Sequence, residues 1–155
     1  MKKLSSYRSG RGRAQGAVAI EMALVLPLLV LVVTTLIFFA RFFWYYSVIQ
    51  KTAHDTARFL STATQVEMRT TGAPVAAVAR SIADAGTAVL VPVVDAMAID
   101  VQCNFSTCGF AVPTTVRVVI QARMRDTIFG PLTSAFYGED GLLLVADVTM
   151  RYAGT

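Results

Sequence analysis

Charge is scarce in this chain of 155 residues: Asp, Glu, Lys and Arg supply 15% of it, against roughly 25% in ordinary globular proteins. A soluble domain of this size keeps a charged surface, so part of the 55% apolar content must face lipid or other subunits. Histidine occurs once, at His54, and cysteine twice, at Cys103 and Cys108. That set cannot fill the four positions of a closed structural zinc site, and no metal is expected. His54 and Asp55 could be cast as an acid–base pair, but adjacent residues diverge on a helix and no nucleophile lies near. A solvated or packed histidine is the reading. With no paired carboxylates and no Ser/His/Asp grouping, neither an enzyme nor a cofactor is expected.

The net charge of +4 is concentrated at one end. Residues 1–16 carry Lys2, Lys3, Arg8, Arg11 and Arg13 and no acid, leaving nine Lys/Arg against ten Asp/Glu in the remainder. A nucleic-acid-binding domain shows its basic face within the folded part. Here the body is slightly acidic, so nucleic acid is not expected as a partner.

After the basic stretch, residues 17–40 contain a single charge, Glu21, and Met22 to Ala40 contain none. As a helix this segment spans roughly 36 Å, enough for a hydrocarbon core of about 30 Å. A buried soluble helix would have a polar side, whereas residues 24–39 are apolar on every face apart from Thr34 and Thr35. Pro27 falls inside the span, where a membrane helix tolerates a kink. The five basic residues keep the N-terminal flank cytoplasmic and export residues 41–155. A cleaved secretory signal fits poorly, because its apolar region is shorter and followed by small residues. This span runs instead into Arg41-Phe42-Phe43-Trp44-Tyr45-Tyr46, a cluster suited to a membrane–water interface.

The sharpest signal is the junction Gln15-Gly16-Ala17-Val18-Ala19-Ile20-Glu21. A carboxylate inside the first turns of a transmembrane helix is costly and marks function. A small pair, Gly16-Ala17, sits where the basic leader meets the apolar span. The pattern resembles a class III (prepilin) leader: basic residues, a glycine, a cut between Gly16 and Ala17, and Glu21 as fifth mature residue. Cleavage would create an α-amine on Ala17, four residues before Glu21 and on the same helix face. In packed helices Glu21 could pair with a neighbouring subunit's amine and set the stagger between subunits.

Gly-Ala-Val-Ala-Ile-Glu-Met-Ala-Leu-Val-Leu-Pro-Leu-Leu, residues 16–29, is similar to the start of the TadE-like family of the tight-adherence (Tad, type IVc) pilus system. That family shows Gly-Ala-x-Ala-x-Glu, then an apolar helix with a proline near its eleventh mature residue, where Pro27 stands. The resemblance implies a minor pilin or pseudopilin of TadE or TadF type. It implies as partners a prepilin peptidase, other pilin and minor pilin subunits, the inner-membrane assembly platform and the lipid bilayer. The implied location is the bacterial inner membrane, crossed once, and incorporation into a surface pilus is a further implication.

Beyond the span, Phe42, Tyr46, Ile49, Ala53, Ala57 and Leu60 recur at helical steps and predict one apolar face on a helix reaching about residue 65. Thr70-Thr71-Gly72-Ala73-Pro74 is a break, and Pro74 opens a short helix through Val75, Val78, Ala79 and Ile82 to about Gly86. From about Ala98 the period changes to two: Ile99, Val101 and Cys103; Val116, Val118, Ile120 and Ala122; Leu142, Leu144, Ala146 and Val148. These predict a small antiparallel sheet with one covered face. Asp126 to Gly141 reads as loop.

In an oxidising periplasm a Cys103–Cys108 disulfide is the simplest reading, with a pair of free thiols as the alternative. Asn104-Phe105-Ser106 matches a glycosylation sequon between the cysteines.

The expected class is α+β: a long pilin-like transmembrane helix continuing into a small exported domain. Its parts are a leader over 1–16, a membrane helix over 17–40, a helical extension over 41–66 and a domain over 67–155. The competing reading is an unprocessed, signal-anchored envelope protein that binds a partner through its exported domain.

Overall fold

The computed structural model describes residues 11–72, 74–92, 94–124 and 141–154. They fall into two compact units, one ending at Phe42 and the other beginning at Phe43. Helix α1 (Arg11–Thr62) supplies the described part of the first unit and opens the second. In the first unit α1 is apolar around its circumference, with Val18, Leu24, Leu26, Leu28, Leu31 and Leu36 all exposed. Thr35 fits such a surface by donating its hydroxyl to the Leu31 carbonyl at 2.8 Å. Pro27 lies within α1, which continues across it. Lacking an N–H, it removes the usual donor to the Ala23 carbonyl.

In the second unit α1 buries Tyr45, Ile49, Thr52, Ala53, Thr56, Ala57 and Leu60. This stripe differs from the expected one at its start: Phe42 is half-buried, Tyr46 is exposed and Tyr45 is buried instead. Steps of three and four back from Leu60 pass through Thr56, Thr52 and Ile49 to Tyr45. The threonines belong to the buried face although their hydroxyls disguise it. The helix stops at Thr62 because Thr64 starts a new one, α2 (Gln65–Arg69). A capping box fixes that start: the Glu67 N–H donates to Thr64 Oγ1, and the Thr64 N–H to Glu67 Oε2 at 2.9 Å. These bonds hold the Glu67 carboxyl below its ordinary value, because they favour the charged form.

Helix α3 (Pro74–Thr87) begins on proline, whose fixed φ suits a first helical turn. It buries Val75, Ala76, Ala79, Ala83 and Thr87. Val78, expected on the covered side, is exposed, and Ile82 is half-buried. Beside Val75 and Thr87, the inward face is made of small alanines, Ala76, Ala79 and Ala83. A 3₁₀ turn over Ala88–Leu90 then drops Leu90 into the core.

Four strands, β1 (Val94–Cys103), β2 (Ser106–Thr107), β3 (Thr115–Met124) and β4 (Leu142–Arg151), form an antiparallel sheet in the order β2-β1-β3-β4. β1 starts four residues before the expected Ala98; an irregularity between Val94 and Ala96 masks the alternation there. Register aligns Val101 with Val118 and Val148, and Ile120 with Ala146, on one face. That face is buried together with the α1 and α3 stripes. Fully burying a side chain such as Ile120 contributes about 1.5–3 kcal/mol. The opposite face carries Asp100, Gln102, Arg117, Gln121 and Asp147. The loop expected over 126–141 lies outside the described residues except for Gly141, whose φ of 74° opens β4.

Two further bonds close the second unit. Tyr152 donates its hydroxyl to the Ala63 carbonyl at 2.6 Å, and the Ala153 N–H donates to Ser61 O at 2.9 Å. They satisfy carbonyls beside the end of α1 that would otherwise lack a donor.

Candidate functional site

The residues that carried the sequence reading lie on the first unit's helix. Gly16, Ala17, Glu21 and Pro27 all have helical backbone within α1. The leader residues Lys2, Lys3 and Arg8 lie outside the described residues. Gly16 therefore stands in helix. Nothing lies within 4 Å of a Cβ placed on it. The Glu21 side chain is exposed, one helical turn beyond Ala17 in the same direction around the axis. From Val18 onward α1 is long and apolar enough to cross a membrane, by length and composition. It fits a single-pass anchor.

The second unit starts in an aromatic zone. Phe43 and Trp44 are exposed, and the Trp44 and Tyr45 rings lie 5.1 Å apart. The Gln50 amide donates to the Tyr46 hydroxyl at 2.9 Å. Such amphipathic rings suit the boundary between lipid and water. His54 and Asp55 are both exposed on α1, each turned away from the buried stripe.

Cys103 and Cys108 form a disulfide with an S–S distance of 2.06 Å. It closes the β1–β2 hairpin, whose turn residues Asn104 and Phe105 have φ of 51° and 61°. Positive φ at both central positions marks the tight turn that matches strand twist. Asparagine tolerates it; phenylalanine does so at a steric cost. Asn104 Oδ1 also accepts from the backbone N–H groups of Thr114 and Thr115, at 2.9 and 3.1 Å. The sequon asparagine is thereby a loop clamp.

Sequence patterning did not single out Arg117. On the sheet's open face its Nε donates to Asp147 Oδ1 at 2.9 Å, and Nη2 donates to the other oxygen. Nη1 reaches Gln102 Oε1 at 3.3 Å, and the guanidinium lies 5.6 Å from the centre of the Phe105 ring. The bonds from Arg117 hold the Asp147 carboxyl below its ordinary value and raise Arg117 in turn. A cross-strand ion pair is stable chemistry and supplies no reactive group. Its only sequence signal was a charged residue alternating with valines. Among the described residues, no three His, Cys, Asp or Glu side chains gather to hold a metal ion.

Comparison with known families converges on α1. Residues 16–58 match the family model described as TadE-like protein, so the chain carries a TadE-like segment. No curated protein and no solved structure matches it.

Proposed function

We propose, from the TadE-like segment over residues 16–58, that the protein is a minor pilin or pseudopilin of a Tad-type (type IVc) pilus, acting in assembly. One observation carries the reading. Gly16, Ala17, Glu21 and Pro27 stand at family spacing in the first-unit stretch of α1, whose apolar residues are exposed around the axis. Such a surface is covered by lipid before assembly and by other pilin helices after it. The role is structural, not catalytic.

In this mechanism the basic leader stays cytoplasmic and the second unit is exported. Prepilin peptidase cuts between Gly16 and Ala17. Glycine is about 1 kcal/mol poorer than alanine in a helix interior, so unwinding for the protease is least costly there. The cut frees an α-amine on Ala17, and Glu21 of one subunit pairs with the amine of the next. That contact offsets the cost of a carboxylate in an apolar setting. Pro27 bends the helix and leaves a carbonyl for neighbouring helices to satisfy. The inner-membrane assembly platform and other pilin subunits are the partners.

N-terminal sequencing from cells with and without prepilin peptidase tests the proposal. A chain beginning at Ala17 only when the peptidase is present supports it. An intact Met1 terminus in both strains overturns it in favour of an unprocessed, signal-anchored envelope protein.

A further inference from the structure

The second unit carries a groove that the pilin reading does not use. About 320 Å³ in volume, it runs between the α2–α3 turn and α3 on one side and the disulfide loop on the other. Its lining includes Val101 and Cys108, both almost fully buried, and the hydroxyl-bearing Thr71 and Thr107. Arg80 and Phe110 also line it.

Two features of this groove stand out among the described residues. Arg80 is the only charged residue in the lining, and it makes no ion pair or hydrogen bond among the described residues. Phe110 is 84% exposed, although its loop is held at both ends. The disulfide fixes Cys108, two residues before it, and Asn104 clamps Thr114 and Thr115 beyond it. An aromatic side chain presented on a braced loop loses little freedom when a partner covers it. Arginine and aromatic residues are the types that anchor protein interfaces.

Charge decides the class of occupant. A cationic groove wall with no acid in the lining among the described residues complements a carboxylate, which a guanidinium binds in planar, paired geometry. Nucleic acid and anionic membranes are held by clusters of cations, and a lone arginine is not one. We infer that this groove docks an acidic segment of another protein chain. An Asp or Glu carboxylate of that segment pairs with Arg80, and an adjoining apolar side chain lies over Val101 and Cys108 beneath Phe110. The inference stands on the second unit alone, whether or not the chain enters a pilus.

The test uses the full chain in nanodiscs of neutral lipid, immobilised and challenged with two peptide mixtures. Both are acetylated, amidated pentapeptides with Ala, Val, Leu and Thr at the outer positions; one has a central Asp and the other a central Asn. Retained peptides are measured by mass spectrometry. Asp peptides should be retained about tenfold over their Asn counterparts, a difference of about 1.4 kcal/mol. Arg80→Gln, an exposed change checked by circular dichroism, should bring that ratio to about one. Phe110→Ser should reduce retention of both sets. An Asp/Asn ratio near one in the natural protein, or one unchanged by Arg80→Gln, overturns the inference. So does loss of all selection in anionic nanodiscs, which would place a lipid headgroup at Arg80.

Discussion

A Cβ on Gly86 would lie 2.7 Å from both Cγ2 and Oγ1 of Thr52, so α3 and α1 meet where a side chain is missing. Gly86→Ala therefore sets two effects against each other. Alanine gains up to about 1 kcal/mol of helix propensity. Overpacking costs about 1–3 kcal/mol, and Thr52, β-branched on a helix, has little rotamer freedom with which to yield. The steric effect wins. The variant should unfold about 1–2 kcal/mol more easily in a denaturant titration, and Thr52→Ala added to it should restore most of the loss. Equal stability of single and double variants would show that the contact relaxes at no cost.

The disulfide closes a loop of only six residues. Its stabilisation through chain entropy is accordingly about 2 kcal/mol. Replacing both cysteines by serine should cost at least that, since Cys103 and Cys108 are buried and serine hydroxyls would be left there. Thermal melts of the two forms measure it. The loss should be largest for amide protection at residues 103–108.

Acid should weaken the second unit through Asp147. Its pKa in the folded chain is lowered, chiefly by hydrogen bonds from Arg117. The stabilisation is fully present above the ordinary value of 3.8 and is lost as pH falls through the lower folded value. Glu67, lowered by the Thr64 capping bonds, acts in the same direction. Asp147→Asn should be less stable than the natural chain at pH 7, and the gap should close at the acid end of a melting series. A gap that persists there would mean that packing, not charge, was lost.

Glu21→Ala should insert into the membrane normally and fail to enter fibres. Immunoblots of sheared pili against the membrane fraction report both quantities. Glu21→Gln separates charge from hydrogen bonding: if the contact to a neighbour's amine is ionic, the glutamine variant fails too. Normal incorporation of both variants would show that the carboxylate is merely tolerated.

The strongest sequence patterns translated directly into structure. An uncharged run from Met22 to Ala40 became exposed apolar helix, and alternation through Val116–Ala122 and Leu142–Val148 became strands with one buried face. What stayed hidden had two causes: hydroxyls inside covered surfaces, and exposed polar contacts fixed by tertiary register. Thr52 and Thr56 read as surface residues although both are buried. The Thr64–Glu67 capping box was present as a motif but lay inside an apparently continuous helical pattern. The Asn104 clamp and the Arg117–Asp147 pair depend on strand register, which no local pattern encodes. At the candidate site the helical backbone at Gly16 was not legible in the small-residue pair Gly16-Ala17.

The Tyr152–Ala63 bond joins residues 89 positions apart. Helix formation over a segment of about 20 residues relaxes within about a microsecond, whereas contacts so distant in sequence belong to topologies that fold in milliseconds to seconds. The two units thus mature on different clocks. The apolar helix is complete and available to lipid while the sheet is still unpaired, so a membrane can capture the chain before its second unit has a fixed shape.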